Sequence, residues 1–153
     1  MAVKILFICH GNICRSVMAE YIMKWLVKNK GRGDNYLIRS VAVSREEIGN
    51  DIYPPAKRKL TEKHIPFEKH QARQVTPTDY QYFDYLICMD KSNLRLLRYL
   101  IGDDKFGKVS LLMEWCGIVR DVADPWYTGD FETTYNDLIS GCKNILEQIE
   151  ARQ

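Results

Sequence analysis

The chain has 153 residues, which suits one domain with a buried core. Its 22 basic and 20 acidic residues give a net charge of +2, which predicts neither nucleic acid nor an anionic membrane as a partner. The N-terminal apolar run is too short for a signal peptide, and no stretch approaches the roughly 20 apolar residues of a membrane span. Five cysteines, an odd number without secretory features, favour a reducing compartment. We therefore expect residues 1–153 to form a single cytoplasmic domain.

A strand that runs directly into a helix is predicted at the N-terminus. Residues 3–8 are almost entirely Ile, Leu, Phe and Val, a pattern typical of a strand buried on both faces of a parallel sheet. From Val17 a helical period begins, and it ends near Gly31. Residues 9–16 therefore connect a strand to a helix. The N–H groups of such a loop and the helix dipole favour a bound anion, so the sequence predicts an anion-binding loop.

The residue types in this loop indicate phosphoryl transfer. Gly11 and Asn12 tolerate the unusual backbone angles of a tight loop. A cysteine such as Cys9, facing a ring of N–H donors, is favoured as a thiolate, which is the nucleophilic form. Arg15 can hold two oxygens of a tetrahedral oxyanion, and Ser16 can donate its hydroxyl to the sulfur. These features predict a reaction through a cysteinyl-phosphate intermediate.

The rest of the chain alternates between strands and helices. Further strands are predicted at residues 36–41, 85–89 and 108–112. Helices are predicted at residues 54–63, after a Thr76 cap, from a Ser92 cap to about residue 100, and at residues 131–149. This alternation predicts a parallel α/β sheet with helices on both faces. The loops after the four strands should then meet at one crevice, beyond the carboxyl ends of the strands.

The reaction also needs a general acid, because an aryl oxide leaves poorly without a proton. The loops at this edge of the sheet offer Asp90, Asp121 and Asp124. We prefer Asp124, because the Pro-Trp-Tyr segment at 125–127 stiffens its backbone and supplies aromatic walls that can stack on a phenyl ring.

The sequence Cys-His-Gly-Asn-Ile-Cys-Arg-Ser at residues 9–16 resembles the phosphate loop of the low-molecular-weight protein tyrosine phosphatases. The resemblance continues through Ser40, His-Gln-Ala-Arg-Gln-Val at 70–75, Cys-Met-Asp-Lys-Ser-Asn-Leu at 88–94 and Asp-Pro-Trp-Tyr at 124–127. It implies a three-layer α/β sandwich of the phosphotyrosine phosphatase I-like type, with a four-stranded parallel sheet in the order 2-1-3-4. It also implies a phosphotyrosine protein or small aryl phosphate as substrate, inhibition by phosphate-like oxyanions, no cofactor or metal, and a monomer or weak dimer.

The resemblance also implies roles for individual residues. Cys9 would be the nucleophile, Arg15 would bind phosphate, and Asp124 would act first as acid and then as base. The residues that would bind phosphate and substrate are His10, Gly11, Asn12, Ile13, Cys14, Arg15, Ser16, Trp126 and Tyr127. Those that would support the loop are Asn12, Ser40, His70 and Asp90. The alternative for Ser40 and His70 is an ordinary role as polar loop residues that cap backbone groups.

The cysteines other than Cys9 have structural interpretations as well. Cys14 is either a small buried residue or, as the resemblance implies, the partner of an oxidised Cys9 in a reversible disulfide. Residues Cys88, Cys116 and Cys142 lie among apolar neighbours, which favours a packing role. Zinc bound by residues 9, 10 and 14 would lack a second pair of ligands at the usual spacing, so no metal is expected.

The chain departs from the family pattern at several positions. Val17 stands where a proline usually follows the Arg-Ser pair, and Val41 stands where a small residue is usual. Arg45 and Glu46 lie near the usual place of an aromatic wall, and His10 occupies a pocket position that is often apolar. A charged Arg45 and a titratable His10 predict a preference for acidic phosphopeptides or small phosphates.

Two competing functions are also compatible with parts of the sequence. An arsenate reductase would use a similar fold and loop but needs a relay of cysteines close together on a mobile segment, whereas Cys88 stands alone in a predicted strand. A phosphate-binding protein without catalytic activity would have no use for Cys9, Arg15 and Asp124 together. We therefore expect a phosphatase that hydrolyses phosphotyrosine and related aryl phosphates.

Overall fold

A four-stranded parallel sheet forms the centre of the computed structural model, which describes residues 2–153. Its strands are β1 (Val3–Cys9), β2 (Tyr36–Ala42), β3 (Tyr85–Cys88) and β4 (Val109–Leu111). They are hydrogen-bonded in the order β2-β1-β3-β4, and every neighbouring pair is parallel. The predicted α/β class and strand order are confirmed.

Helices cover both faces of the sheet. They are α1 (Arg15–Asn29), α2 (Pro54–Glu62), α3 (Pro77–Tyr82), α4 (Lys91–Ile101), α5 (Pro125–Thr128) and α6 (Phe131–Ala151). Ile5 and Phe7 of β1 pack into a core shared with α1, α2 and α6, whereas Leu6 and Ile8 pack into a second core with α3 and α4. Successive side chains of a strand point to opposite faces, so the buried residues 5–9 of β1 had to be apolar. No helix of residues 2–153 has the length and apolar character that a membrane span requires.

Strand register brings the loops after the strands to one edge of the sheet. Cys9, the last residue of β1, lies opposite Ala42, the last residue of β2. Ala42 also forms a parallel bridge with Gln74, so the segment that contains His70 runs along the end of β2. This arrangement places His70, which is distant in sequence, beside the loop that follows Cys9.

The predicted boundaries hold except around α4 and β4. The capping box that opens α3 at Thr76 is confirmed, as is the start of α2 at Pro54. The prediction that Ser92 caps α4 is wrong, because Asp90 is the cap and its carboxylate accepts a hydrogen bond from the Asn93 N–H at 2.8 Å. An ionised carboxylate at this point also interacts favourably with the helix dipole. Strand β4 is shorter than predicted and gives way to a 3-10 helix at Leu112–Cys116.

Candidate active site

Hydrogen bonds from neighbouring segments to its carbonyl oxygens hold the loop at residues 9–16 in place. Those of Cys9, His10, Asn12 and Ile13 accept hydrogen bonds from Val43 N, Ser44 N, His70 Nε2 and Tyr53 N, at 2.7 to 3.0 Å. A carbonyl can only accept, so Nε2 of His70 carries the proton. The C=O and N–H of a trans peptide point in opposite directions, so the N–H groups that follow these carbonyls turn toward the inside of the loop. Their direction is that required for binding an anion.

A chain of hydrogen bonds runs behind the loop to Cys9. Asn12 is fully buried, has a φ of 62°, and donates its side-chain amide to Ser16 Oγ at 2.8 Å and to Ser40 Oγ at 2.9 Å. Ser40 in turn donates to the buried carboxylate of Glu20 at 2.6 Å. Ser16 Oγ also lies 3.0 Å from Cys9 Sγ, where it accepts from the thiol and can donate its own proton once the thiol is ionised. The chain therefore directs a proton donor at the sulfur.

Cys9 itself occupies a sheltered position at the end of β1. Its side chain is only 3% exposed, and the N–H of Asn12 donates to its Sγ at 3.3 Å. Together with Ser16, this gives the sulfur two neighbouring donors. Donors directed at sulfur stabilise a negative charge there, as a thiolate nucleophile and leaving group requires.

Arg15 is buried and held by two carboxylates. Its side chain is 2% exposed, and its Nη1 donates to Asp90 at 2.7 Å and to the carbonyl of Val122 at 2.9 Å. Its Nη2 lies 3.4 Å from Asp124. Burial by itself would lower the pKa of Arg15, but the negative charges of Cys9, Asp124 and Asp90 outweigh burial and raise the pKa above its usual value. The guanidinium is therefore a permanent cation in a fixed orientation.

The three candidate acids lie in different environments. The carboxylate of Asp90 caps α4 and binds Arg15, and that of Asp121 accepts from the N–H of Lys91 at 3.1 Å. Asp124 is the one of the three that lines the cavity in front of Cys9. It caps α5 by accepting from the N–H of Trp126 at 3.1 Å.

This cavity has a volume of about 180 Å³ and opens on the phosphate loop. Its lining consists of Cys9, His10, Gly11, Ile13, Cys14, Arg15, Glu46, Glu47, Asp124, Trp126 and Tyr127. Most of the predicted phosphate- and substrate-binding residues therefore lie together. The side chains of Asn12 and Ser16 are fully buried behind the loop instead.

An aromatic wall stands on the Asp124 side of the cavity. Trp126 is 49% exposed, and its ring centroid lies 4.6 Å from that of Tyr53. Tyr53 packs in turn on Phe131 at 6.2 Å. Sequence reasoning missed the support from Tyr53, because its partners lie far along the chain.

Sequence reasoning also missed Glu20 and Glu47, and it named Glu46 only as a departure from the family pattern. Glu20 lies in the middle of α1, with no local sign that its carboxylate turns toward Ser40. Glu46 and Glu47 line the cavity, whereas Arg45 is exposed and lies outside the lining. The substrate preference predicted from Arg45 and His10 stays a prediction, although of these two residues only His10 lines the cavity. The side chains that residues 45–47 contribute to the cavity lining are acidic.

Two further departures from the family pattern have packing roles, and Cys14 is buried beside the cavity. Val17 and Val41 are both fully buried in the two cores. Burial raises the pKa of Cys14 far above its usual value, and the neighbouring negative charges of Cys9 and Asp124 add to this effect. Within residues 2–153, no group of three or more His, Cys, Asp or Glu side chains is arranged to hold a metal ion.

Comparison with known proteins gives consistent matches over the full length. A family model described as low molecular weight phosphotyrosine protein phosphatase matches residues 4–153. The low molecular weight protein-tyrosine-phosphatase YfkJ of Bacillus subtilis is 35% identical over 150 residues, which cover 97% of this chain and 96% of the relative. The crystal structure of YfkJ has a TM-score of 0.96 and 34% identity, with 100% of this chain and 98% of that chain covered.

Two further proteins show the same relationship. A low molecular weight phosphotyrosine protein phosphatase from Gallus gallus is 40% identical over 153 residues, and the match covers 94% of each chain. The crystal structure of SP-PTP, a low molecular weight protein tyrosine phosphatase from Streptococcus pyogenes, has a TM-score of 0.86 and 38% identity, covering 95% of this chain and 92% of that chain. The chain therefore belongs to the low molecular weight phosphotyrosine protein phosphatase family.

Proposed function

We propose that this protein-tyrosine phosphatase uses Cys9 as nucleophile, Arg15 as phosphate-binding cation, and Asp124 as general acid and base. The observation that carries the assignment is that all three line one cavity, with Arg15 Nη2 3.4 Å from Asp124. A nucleophile, a fixed cation and a carboxyl group around one small space meet the requirements of phosphoryl transfer to cysteine.

In the first step, the Cys9 thiolate attacks phosphorus. The S–P bond forms as the P–O bond to the tyrosine ring breaks, and Asp124 donates a proton to the leaving phenol oxygen. Arg15 and the inward N–H groups of the loop hold the non-bridging oxygens, where negative charge is greatest. The products of this step are free tyrosine hydroxyl, cysteinyl phosphate and an ionised Asp124.

In the second step, water hydrolyses the cysteinyl phosphate. Asp124 now takes a proton from the water as its oxygen attacks phosphorus, and the S–P bond breaks. Ser16 donates to the departing thiolate, from a position 3.0 Å from Cys9 Sγ. Inorganic phosphate leaves, and the enzyme returns to its starting state. Because Arg15 and the loop supply the stabilising charge, we propose that the reaction is independent of metal.

Asp90 supports this reaction by positioning Arg15. Its carboxylate holds Nη1 at 2.7 Å and at the same time caps α4, so the guanidinium is tied to a helix. The planar fork of an arginine then meets phosphate with little loss of side-chain freedom. The hydrogen bonds that join Asn12 to Ser40 and to His70 hold the phosphate loop in position as well.

The competing functions have less support. Cys88 is fully buried within β3, where burial raises its pKa far above the usual value, so it is poorly placed to relay a disulfide. A protein that only binds phosphate would not need Asp124 in the cavity. Thioredoxin-dependent reduction of arsenate would support the reductase.

Further properties are also part of the proposal. We expect phosphate-like oxyanions such as vanadate to compete with substrate, a monomer or weak dimer in solution, and a cytoplasmic location, in keeping with cysteines that are all free. A reversible disulfide between Cys9 and Cys14 stays a prediction, and mass spectrometry after mild peroxide treatment tests it.

The deciding experiment measures hydrolysis of p-nitrophenyl phosphate and a phosphotyrosine peptide by reduced protein in the presence of a metal chelator. Wild type should turn over both, and Cys9→Ser should turn over neither while still binding phosphate. Rapid quenching of wild type should trap one phosphate per chain on Cys9. Turnover that survives in Cys9→Ser would overturn the assignment, as would loss of turnover on adding the chelator.

A further inference from the structure

Two glutamates of the segment after β2 stand at the mouth of the cavity. Glu46 and Glu47 both belong to its lining. The stem of Glu47 packs on the phosphate loop, since a Cβ built at Gly11 would lie 3.3 Å from Glu47 Cγ. The carboxylate of Glu47 accepts a hydrogen bond from Asn50 Nδ2 at 2.6 Å. That bond holds the carboxylate in position. Because the amide donor is neutral, it does not offset the negative charge of the carboxylate.

Glu46 holds its charge closer to solvent. Its carboxylate lies 2.6 Å from Nε2 of His10, and its side chain is 67% exposed. One imidazole therefore faces two carboxylates at this side of the mouth. Even when protonated, His10 balances one of the two negative charges.

The arginine of the lining belongs to the phosphate loop itself. Arg15 is 2% exposed and is held by Asp90 and Asp124, so its charge acts on the phosphoryl group. The part of a substrate that extends beyond the phosphate meets Glu46, Glu47 and His10 on one side and the aromatic residues Trp126 and Tyr127 on the other. The mouth is thus acidic, while Arg15 supplies a fixed positive charge deeper in the cavity.

We propose that Glu46 and Glu47 select phosphotyrosine that is flanked by a basic side chain. The inference rests on the proposed function, because it concerns what else the substrate presents when its phosphate occupies the loop. A lysine or arginine next to phosphotyrosine would pair with the carboxylates at the mouth, and an acidic neighbour would be repelled. This preference is the reverse of the one predicted from Arg45.

The test compares three short phosphotyrosine peptides that differ at one neighbouring position, which is Lys, Gln or Glu. For wild type, kcat/KM for the Lys peptide should exceed that for the Glu peptide by about threefold to tenfold, because attraction of the Lys side chain and repulsion of the Glu side chain both contribute. The ratio should fall toward one at about 1 M salt, where the Debye length is about 3 Å.

Variants then locate the effect. In the double variant Glu46→Gln with Glu47→Gln, the Lys-to-Glu ratio should be close to one. Glu47→Gln alone should remove the larger part, because the carboxylate of Glu46 is already engaged by His10 at 2.6 Å. Glu147→Gln, an exposed glutamate of α6, removes the same charge elsewhere and should keep the wild-type ratio. For each variant, turnover of the Gln peptide is the reference and shows that the variant is folded.

The outcomes separate the two proposals. Equal rates on the three peptides in wild type, or a ratio that the double variant retains, would overturn this inference and leave the phosphatase assignment intact. Absence of turnover on the Gln peptide and on p-nitrophenyl phosphate would overturn the proposed function and this inference together.

Discussion

The ring of His70 lies 2.7 Å from the backbone carbonyl of Asn12, across 58 positions of sequence. Asn12 has a φ of 62°, in the left-handed region that few residues tolerate. His70 thus binds the loop at its most unusual backbone position. A half-buried side chain from another segment helps to determine the shape of the phosphate loop.

Replacing His70 with alanine should weaken catalysis more than it weakens the fold. The Asn12 carbonyl would lose its partner, which should lower the free energy of unfolding by about 1–3 kcal/mol. A small shift of the loop N–H groups should reduce kcat by about tenfold or more. Steady-state kinetics with urea unfolding measure both effects. Lys69→Ala, at the exposed neighbouring position, is the matched control, and equal kinetics in the two variants would contradict a supporting role for His70.

The acid role of Asp124 predicts a dependence on the leaving group. Asp124→Ala should lower kcat by about 10² to 10⁴-fold on phenyl phosphate, and by less on p-nitrophenyl phosphate, whose leaving group needs no proton. Asp121→Ala serves as control, since that carboxylate binds the N–H of Lys91. An equal, small effect of Asp124→Ala on both substrates would move the acid role to Asp90 or Asp121.

Asp51 should make stability depend on acid pH. Hydrogen bonds from Lys57, Ile52 N and His70 N lower the pKa of Asp51 to about 2. As pH falls, the unfolded chain binds a proton at Asp51 before the folded chain does. The stabilisation is therefore fully present above about pH 4 and is lost as pH falls through about 2. Because the carboxylate is partly exposed, we discount its contribution to about 1 kcal/mol.

Asp51→Asn tests this linkage by unfolding at several pH values. The variant should be less stable than wild type by about 1 kcal/mol at pH 6, and the difference should vanish near pH 2. Asp34→Asn, at an exposed position, should differ little from wild type throughout. A difference for Asp51→Asn that is constant from pH 6 to 2 would exclude an ionic origin.

Gly141 of α6 allows close packing against Leu112. A Cβ at this position would overlap the Leu112 side chain. Gly141→Ala should therefore destabilise the protein by about 1–3 kcal/mol, even though alanine favours helix by about 1 kcal/mol. Ser140→Ala, one exposed position earlier, should be neutral or stabilising.

A double-mutant cycle checks the cause of this effect. If the overlap is responsible, Gly141→Ala should be tolerated better in a Leu112→Ala background, which removes the overlapping atoms. Additive effects in thermal or urea unfolding would show that the Leu112 contact is not the reason.

The sequence by itself determined the elements and the chemistry of the site. The apolar run at residues 5–9 of β1 and the helical period of α6 report burial directly, because each pattern is local. Cys9 and Arg15 lie six positions apart on one strand-to-helix connection, so their proximity follows from the loop itself. The capping box at Thr76 could also be predicted from the sequence, since its hydrogen bonds span three positions.

Only the tertiary structure decided which contacts the distant residues of the site make. The Ser40–Glu20 hydrogen bond, the Asp90 carboxylate on Arg15 and the acidic mouth depend on how separate segments pack, and no periodic pattern encodes such contacts. Residues such as Arg45 and Glu46 are adjacent in sequence, yet only Glu46 reaches the cavity. In an irregular segment, the side of the chain on which a residue lies is set by contacts made after folding.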